Sequence, residues 1–252
     1  MRERFLCERF FMNNIVQGLW IGARLSRMEY LSVSSFLKNG HDYHLYTYGD
    51  VINIPQGTVV KKASEILPES MIFQYHRHKS YSGFSNLFRY KLLLEKGGWW
   101  VDSDLICLKQ FDFVDEYVFS SEQAVGQQFI NCGAVKSPAG SDVIAYAWDS
   151  ARRSDPSRLE WGEIGPKLLG RAVREFSLEC YVKPHDVFCP IGYGEWADIL
   201  DPAATIDFGA NTYAVHLWNE FWRRNSQDKD KSYDPNCLYE KLKRAFCDSE
   251  EK

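Results

Sequence analysis

The chain has 252 residues, enough to bury the core of one sizeable α/β domain or of two small ones. Its composition, 45% hydrophobic and 25% charged, is that of a soluble globular protein and excludes a disordered or fibrous one. A formal net charge of −4 gives no bulk attraction to nucleic acid or anionic lipid, so no nucleic-acid partner is expected.

The first twelve residues, Met1 to Met12, carry charges throughout and contain no apolar stretch of signal-peptide length. No later segment reads as a membrane span, so the expected location is cytoplasmic, with contact to a membrane only at its periphery. Residues 15–21 read as a buried strand running into Gly22. Ser26-Arg27-Met28-Glu29 is a capping box, and Tyr30, Val33 and Leu37 recur behind it at helical spacing until Gly40. Residues 43–47 read as a second strand. A strand–helix–strand unit predicts a parallel sheet, whose ligands gather at the carboxyl ends of its strands, where Trp20 to Gly22 lie.

Residues 51–57 look like a short extended piece and a turn, and 67–75 like a short helix. His76-Arg77-His78-Lys79 is a basic cluster, either a solvated loop or a diphosphate contact. Ser85 can cap a helix through Leu87, Tyr90 and Leu94 that Gly97 and Gly98 end. A strand, Trp99-Trp100-Val101, follows. In the second half, 129–135 reads as a strand, and 161–176 as a helix with Pro166 in its first turn. Residues 212–218 read as a short strand, and a last helix begins at Asp234-Pro235 with Leu238, Leu242 and Phe246 inward. Seven cysteines, Cys7, Cys107, Cys132, Cys180, Cys189, Cys237 and Cys247, share no CxxC spacing. This argues against a disulfide framework or structural zinc, and for a reducing compartment.

Chemistry concentrates at Asp102-Ser103-Asp104. In extended chain, residues i and i+2 point to one side, so the two carboxylates can face a single point. Their repulsion is relieved by a divalent cation, and hard oxygen ligands suit Mg²⁺ or Mn²⁺. The D-x-D triplet alone is weak evidence, because Asp228-Lys229-Asp230 repeats it in a polar, surface-like stretch. Context separates them: the first pair follows an apolar strand, where uncompensated charge is costly.

With these residues in view, Ser85-Asn86-Leu87-Phe88-Arg89-Tyr90 followed by Gly97-Gly98-Trp99-Trp100-Val101-Asp102-Ser103-Asp104 resembles the S-D-x-x-R-x…G-G-x-Y-x-D-x-D block of glycosyltransferases with the DXD-containing sugar-binding region. That group includes capsular polysaccharide enzymes and α-1,4-galactosyltransferases. Leu19 to Gly22 and the tail Ala214 to Trp222 extend the likeness to both ends. The resemblance implies a single GT-A domain spanning 1–252, α/β in class, with a Rossmann-like nucleotide-binding half and a mixed central sheet. Residues 1–110 would mainly bind nucleotide-sugar, and 111–252 would form the acceptor side and a closing segment. It also implies a nucleotide-sugar donor (a UDP-sugar favoured), a saccharide or other hydroxyl acceptor, Mn²⁺ or Mg²⁺, and retention of configuration, as in polysaccharide biosynthesis.

By position, the resemblance gives Asp104 the ion directly, and Asp102 the ribose or the ion through water. His216, Asn219 or Glu220 would complete the metal shell. Arg89 would touch donor phosphate or sugar, with Leu19, Ile21, Gly22, Ser85, Asn86, Trp100 and Ser103 around the donor. Trp20 would lie against the base, and Trp222 would close over the diphosphate. Asn86 departs from the family's Asp, and Trp100 from its Tyr. Read without the family, Arg89 can be a snorkelling helix residue, His216 a core histidine, and Trp20 either core or a stacking ring. Asn131 suits a turn or a sugar contact, and Glu163 a helix N-terminal charge or a catalytic carboxylate. Two rival functions keep the same residues: a non-catalytic nucleotide-sugar or glycan binder, and a metal-dependent phosphohydrolase or nucleotidyltransferase.

Overall fold

Strand β1 (Ile15–Trp20) runs through the middle of a six-stranded sheet, so both its faces are covered and its residues do not alternate between apolar and polar. Its one polar residue, Gln17, is buried and its amide donates to the carbonyls of Gly97 (2.8 Å) and Trp99 (3.3 Å). This computed structural model describes residues 14–247. The charged N-terminal stretch and Cys7 lie outside the described residues.

The expected capping box is formed: Glu29 Oε2 accepts the Ser26 N–H (2.9 Å), and Ser26 Oγ accepts that of Met28 (3.2 Å). It starts α1 (Arg27–Lys38), which leads into β2 (Asp42–Thr47), parallel to β1 with Ile15 opposite Asp42. A third parallel strand, β3 (Val59–Lys62), forms the edge. It starts later than the extended piece expected at 51–57, where only an Arg24–Ile52 bridge is present. The helix expected over 67–75 is absent. Two single 3₁₀ turns, Ala63–Glu65 and Glu69–Met71, flank Pro68, which has no N–H and holds the extended conformation at φ −65°, ψ 146°.

Helix α2 (Ser82–Lys96) starts before Ser85, whose N–H already bonds to Tyr81 O (2.8 Å), so Ser85 is a first-turn residue and not the cap. It ends at Gly97, which sits at φ +63°, and where a Cβ would lie 2.4 Å from the Ala139 nitrogen. Strand β4 (Gly98–Val101) then joins the sheet parallel to β1. β5 (Leu105–Cys107) leaves it. β6 (Val118–Ala124) and β7 (Gln127–Ser137) form an antiparallel hairpin, with β7 paired to β4. The order β3-β2-β1-β4-β7-β6 is the expected mixed α/β sheet. It changes from parallel to antiparallel at β4, the strand that leads into Asp102.

Helices α2, α3 (Asp142–Ala151) and α4 (Pro166–Glu175) cover one face of the sheet. The helix expected from residue 161 starts at Pro166, because the preceding residues form turns and Gly162 has φ +75°. The other face holds α1 and the C-terminal elements. There β8 (Ala214–His216) pairs antiparallel with β5, Leu105 opposite His216. Short α5 (Asn219–Arg224) and α6 (Leu238–Phe246) follow. α6 begins at Leu238 rather than at Asp234, since Asp234 closes a turn by accepting the Asn236 N–H (2.8 Å). Cys107, Cys132, Cys180, Cys189 and Cys237 form no disulfide, and among the described residues no helix is long and apolar enough to cross a membrane.

Candidate active site

Strand β4 carries the chain through the core to Val101 and releases it into the Asp102-Ser103-Asp104 turn. The turn is pinned at both ends: the Asp102 N–H donates to Gly133 O (2.8 Å), and Asp102 O accepts from the Leu105 N–H (3.1 Å). Asp104 is 9% exposed. Its Oδ2 accepts the Asn219 N–H (2.8 Å), its carbonyl accepts that of Leu217 (2.9 Å), and its Oδ1 lies 3.2 Å from His216 Nε2. The imidazole is held edge-on against Trp218, with ring centroids 4.2 Å apart. Trp218 in turn sits in the left-handed region at φ 59° and donates to Ile191 O (2.9 Å).

One ligand atom each from Asp102, Asp104 and His216 falls within 4.8 Å of the others. Burial would lower the His216 pKa, but Asp104, Asp102 and Glu122 outweigh it and hold the imidazole above its ordinary value. Burial would raise the Asp104 carboxyl, but His216 and the Asn219 N–H bring it below the usual carboxylate range. Neither buried ring nitrogen of His216 has an aligned hydrogen-bond partner. Two carboxylates converging on one imidazole form a donor set that fits a divalent cation.

A second cluster adjoins the first through Asp102. Arg89, projecting from α2 and 2% exposed, donates from Nη2 to Asp102 Oδ1 (2.6 Å) and from Nη1 to Asn86 Oδ1. Its guanidinium lies 4.7 Å from the Trp100 ring centroid, and Trp100 Nε1 donates to the same Asp102 oxygen (2.8 Å). The indole N–H at position 100 therefore has a defined partner. Arg89 Nε is buried and unpaired, a donor still to be met. Arg89 is thus no snorkelling side chain. Asn86 is pressed from above by residue 165, where a Cβ would come 2.6 Å from Asn86 Nδ2.

The remaining expected residues divide. Trp20 is half-buried at the carboxyl end of β1, with its N–H on Arg24 O (3.1 Å), and Ile21 and exposed Gly22 follow it. Leu19 is core, Ser85 is half-buried on α2, and Ser103 is half-buried within the D-x-D turn. Asn131 is buried on β7, its Oδ1 accepting the Gly133 N–H (2.5 Å). Glu163 is exposed, and its carboxylate closes its own turn on the Glu160 N–H (2.9 Å). Asn219 meets Asp104 through its backbone.

Two expectations are corrected. Glu220 is not a third metal ligand, because Arg223 and Arg224 hold its carboxylate, each at 2.7 Å. Trp222 does not close over a diphosphate: it is fully buried, donates to Leu217 O (2.8 Å) and packs on Tyr239 at 4.8 Å, so it is a core pillar. The second triplet has a structural role, Asp230 capping the Arg27 N–H (2.7 Å) and Lys229 pairing with buried Glu29. Glu122, on β6, escaped the sequence reading. Burial raises its pKa while His216 and Asn131 oppose that shift. Only the β6–β7 pairing reveals it, since Ser-Ser-Glu-Gln carries no motif.

A family model described as "Glycosyltransferase sugar-binding region containing DXD motif" matches residues 28–123. A second, "Alpha 1,4-glycosyltransferase conserved region", matches residues 157–250. No curated protein sequence matches. Similar solved structures include the PaToxG glycosyltransferase, at 14% identity over 69% of this chain and 77% of that one, with a TM-score of 0.48. A transferase mutant with two Cys-to-Ser substitutions aligns at 10% identity over 66% and 85%, TM-score 0.46. The apo-form glycosyltransferase GlyE of Streptococcus pneumoniae TIGR4 aligns at 16% identity over 93% and 64%, TM-score 0.42. The mixed sheet places the D-x-D turn after its switch strand, inside the first of the two matched regions.

Proposed function

We propose that this chain is a DXD-containing glycosyltransferase that transfers a hexose from a UDP-sugar to a hydroxyl acceptor, with Mn²⁺ or Mg²⁺ bound and with retention of configuration. The observation that carries this reading is the convergence of Asp102, Asp104 and His216 within 4.8 Å. A divalent ion bound there contributes neutralisation of charge on the leaving nucleotide diphosphate. The remaining work falls to the chain. Arg89 and Asn86 orient the donor sugar and phosphate through the unmet Nε donor and the Asn86 amide. Trp20 offers a face to the base. Asn131 and Glu122, together on the β6–β7 hairpin, border the reacting centre and hold its polar groups. Retention by front-face attack asks for no strong base, which suits a site where Glu163 is committed to its own turn. Residues 1–110 would supply most of the donor site, and 111–252 the acceptor side, the whole chain acting as one domain. The acceptor is a saccharide in this reading, as in polysaccharide assembly in the cytoplasm.

A hydrolysis and thermal-shift panel tests this: UDP-glucose, UDP-galactose, UDP-GlcNAc and GDP-mannose, each with and without Mn²⁺. Release of free sugar and intact nucleotide diphosphate, dependent on Mn²⁺ and lost in Asp104→Ala, is the expected result. Donor binding without turnover would mark a non-catalytic binder. Cleavage between the phosphates would mark a phosphohydrolase.

A further inference from the structure

A cavity of about 530 Å³ opens between the turn at 75–78 and the loop at 157–161. At one side stands Trp161, 38% exposed. The Arg224 guanidinium lies over its ring at 4.4 Å, while Tyr75 and His78 pack on it at 5.1 and 5.2 Å. The turn that bears His76, Arg77 and His78 is fixed by two backbone bonds, Tyr75 N–H to Ser80 O (2.9 Å) and Lys79 N–H to Tyr75 O (2.8 Å). Arg223 also donates to His78 O.

The charge here runs against that of the chain. Two guanidiniums, Arg77 and Arg158, and two imidazoles, His76 and His78, line the cavity against one carboxylate, Glu160. Behind them Arg223 and Arg224 share the single carboxylate of Glu220, which leaves a further positive charge. Arg77 and Arg158 make no side-chain ion pair or hydrogen bond of their own among the described residues, in a protein of net charge −4. Concave positive walls concentrate anions, and unpaired guanidiniums present forked donors that match carboxylate or phosphate.

Position says which anion. The loop that carries Trp161 continues to Gly165, which rests on Asn86, and Asn86 touches Arg89 and through it Asp102. This loop therefore links the cavity to Asn86 and Arg89, which the reading above assigns to the donor, while none of the lining residues belongs to the carboxylate–imidazole triad, where a donor diphosphate would lie. We propose that this cavity is the acceptor subsite and that its occupant is an acidic saccharide, carrying a carboxylate or phosphate within reach of Arg77 and Arg158 while Trp161 packs on the sugar ring. The inference rests on the glycosyl-transfer reading above for its chemistry but not for its binding.

The test compares methyl glucoside, its uronic acid and its 6-phosphate as acceptors, so that the two anions are read separately. In wild-type protein at least one anionic acceptor should exceed the neutral parent in kcat/KM by tenfold or more. In Arg77→Gln/Arg158→Gln that ratio should fall to about threefold or less. The ratio is internal to each protein, so a general loss of folded enzyme does not enter it. Calorimetric binding of the same three saccharides without donor decides the matter even if no transfer occurs. Tenfold weaker binding of the anionic saccharide to the double variant supports the subsite. Equal binding by both proteins, binding of no anionic saccharide, or a neutral acceptor used as well as its acidic forms would overturn it.

Discussion

Asp104→Asn removes one charge from the triad while keeping its shape. The amide oxygen can still accept the Asn219 N–H now bonded at 2.8 Å, and the Leu217 N–H is held by the backbone carbonyl, which does not change. A hydrogen bond to a charged acceptor contributes about 1.5–3 kcal/mol and one to a neutral acceptor about 0.5–1.5, so the fold should lose only about 1 kcal/mol. In the proposed reading the ion loses a direct anionic ligand. Disrupting an outer-shell partner already costs about 10–100-fold in metal affinity, so this variant should bind Mn²⁺ at least about 100-fold more weakly. Calorimetric Mn²⁺ titration gives the affinity, denaturant unfolding the stability, and donor hydrolysis across Mn²⁺ concentrations the activity. Mn²⁺ affinity within about threefold of wild type, in a folded variant, would refute the assignment of Asp104 as a ligand.

His216 is held above its ordinary value of 6.5, and Asp104 below its ordinary 3.8. In the metal-free protein the His216 contribution to stability is full below 6.5 and is lost as pH rises through the raised value. The Asp104 contribution is present above 3.8 and is lost as pH falls through the lowered value. Because Mn²⁺ must displace the imidazole proton, its affinity should rise about tenfold per pH unit until the raised value is passed, then level off. Titrations at several pH values that show a flat affinity would remove His216 from the ligand set. Gly165→Ala forces a methyl to within 2.6 Å of Asn86 Nδ2, so donor KM should rise several-fold for a stability loss of about 1–3 kcal/mol, and an unaltered KM would detach Asn86 from the donor. Trp222→Ala should cost about 3–5 kcal/mol, whereas Trp222→Phe, losing the bond to Leu217 O, should cost about 1–2 kcal/mol without raising donor KM. A raised KM at unchanged stability in the Phe variant would return the ring to the diphosphate.

The sequence is legible wherever a local rule decides the structure. The Ser26/Glu29 box, the glycine stop at Gly97 and the apolar run of β4 each depend on near neighbours, and each lies where periodicity and capping put it. The D-x-D turn was readable for the same reason. Pro68 shows the limit of such reading: a short helix was expected over 67–75, but that stretch holds only the 3₁₀ turn Glu69–Met71, which follows the extended Pro68. What escaped reading is set by pairing between distant strands. Glu122 comes to lie opposite Phe129, two residues from Asn131, only because β6 folds back on β7, and Trp222 belongs to the core because the tail packs on α6. An aromatic residue near a motif carries no mark of which side of the backbone it will face. Glu220 had the right chemistry for a ligand, and the arginines one turn along α5 claimed it.

The site depends on an antiparallel ladder as short as three residues. Asp104 precedes β5 and His216 ends β8, and the pairing of Leu105 with His216 brings together groups far apart in sequence. Closing so long a loop costs entropy that grows only with the logarithm of its length, and the ladder, the Leu217–Asp104 bond and the burial of Trp222 and Leu238 offset it. That closure also confines a carboxylate and an imidazole beside one another, so the protein has met most of the ordering cost of an ion site before any ion arrives. The two matched regions, one ending at residue 123 and the other beginning at 157, meet at this ladder. Neither contains all three converging residues: the first holds Asp102 and Asp104, the second His216. Docking of the tail therefore completes the candidate site, and a substitution that loosens β8 should act on catalysis and on stability together.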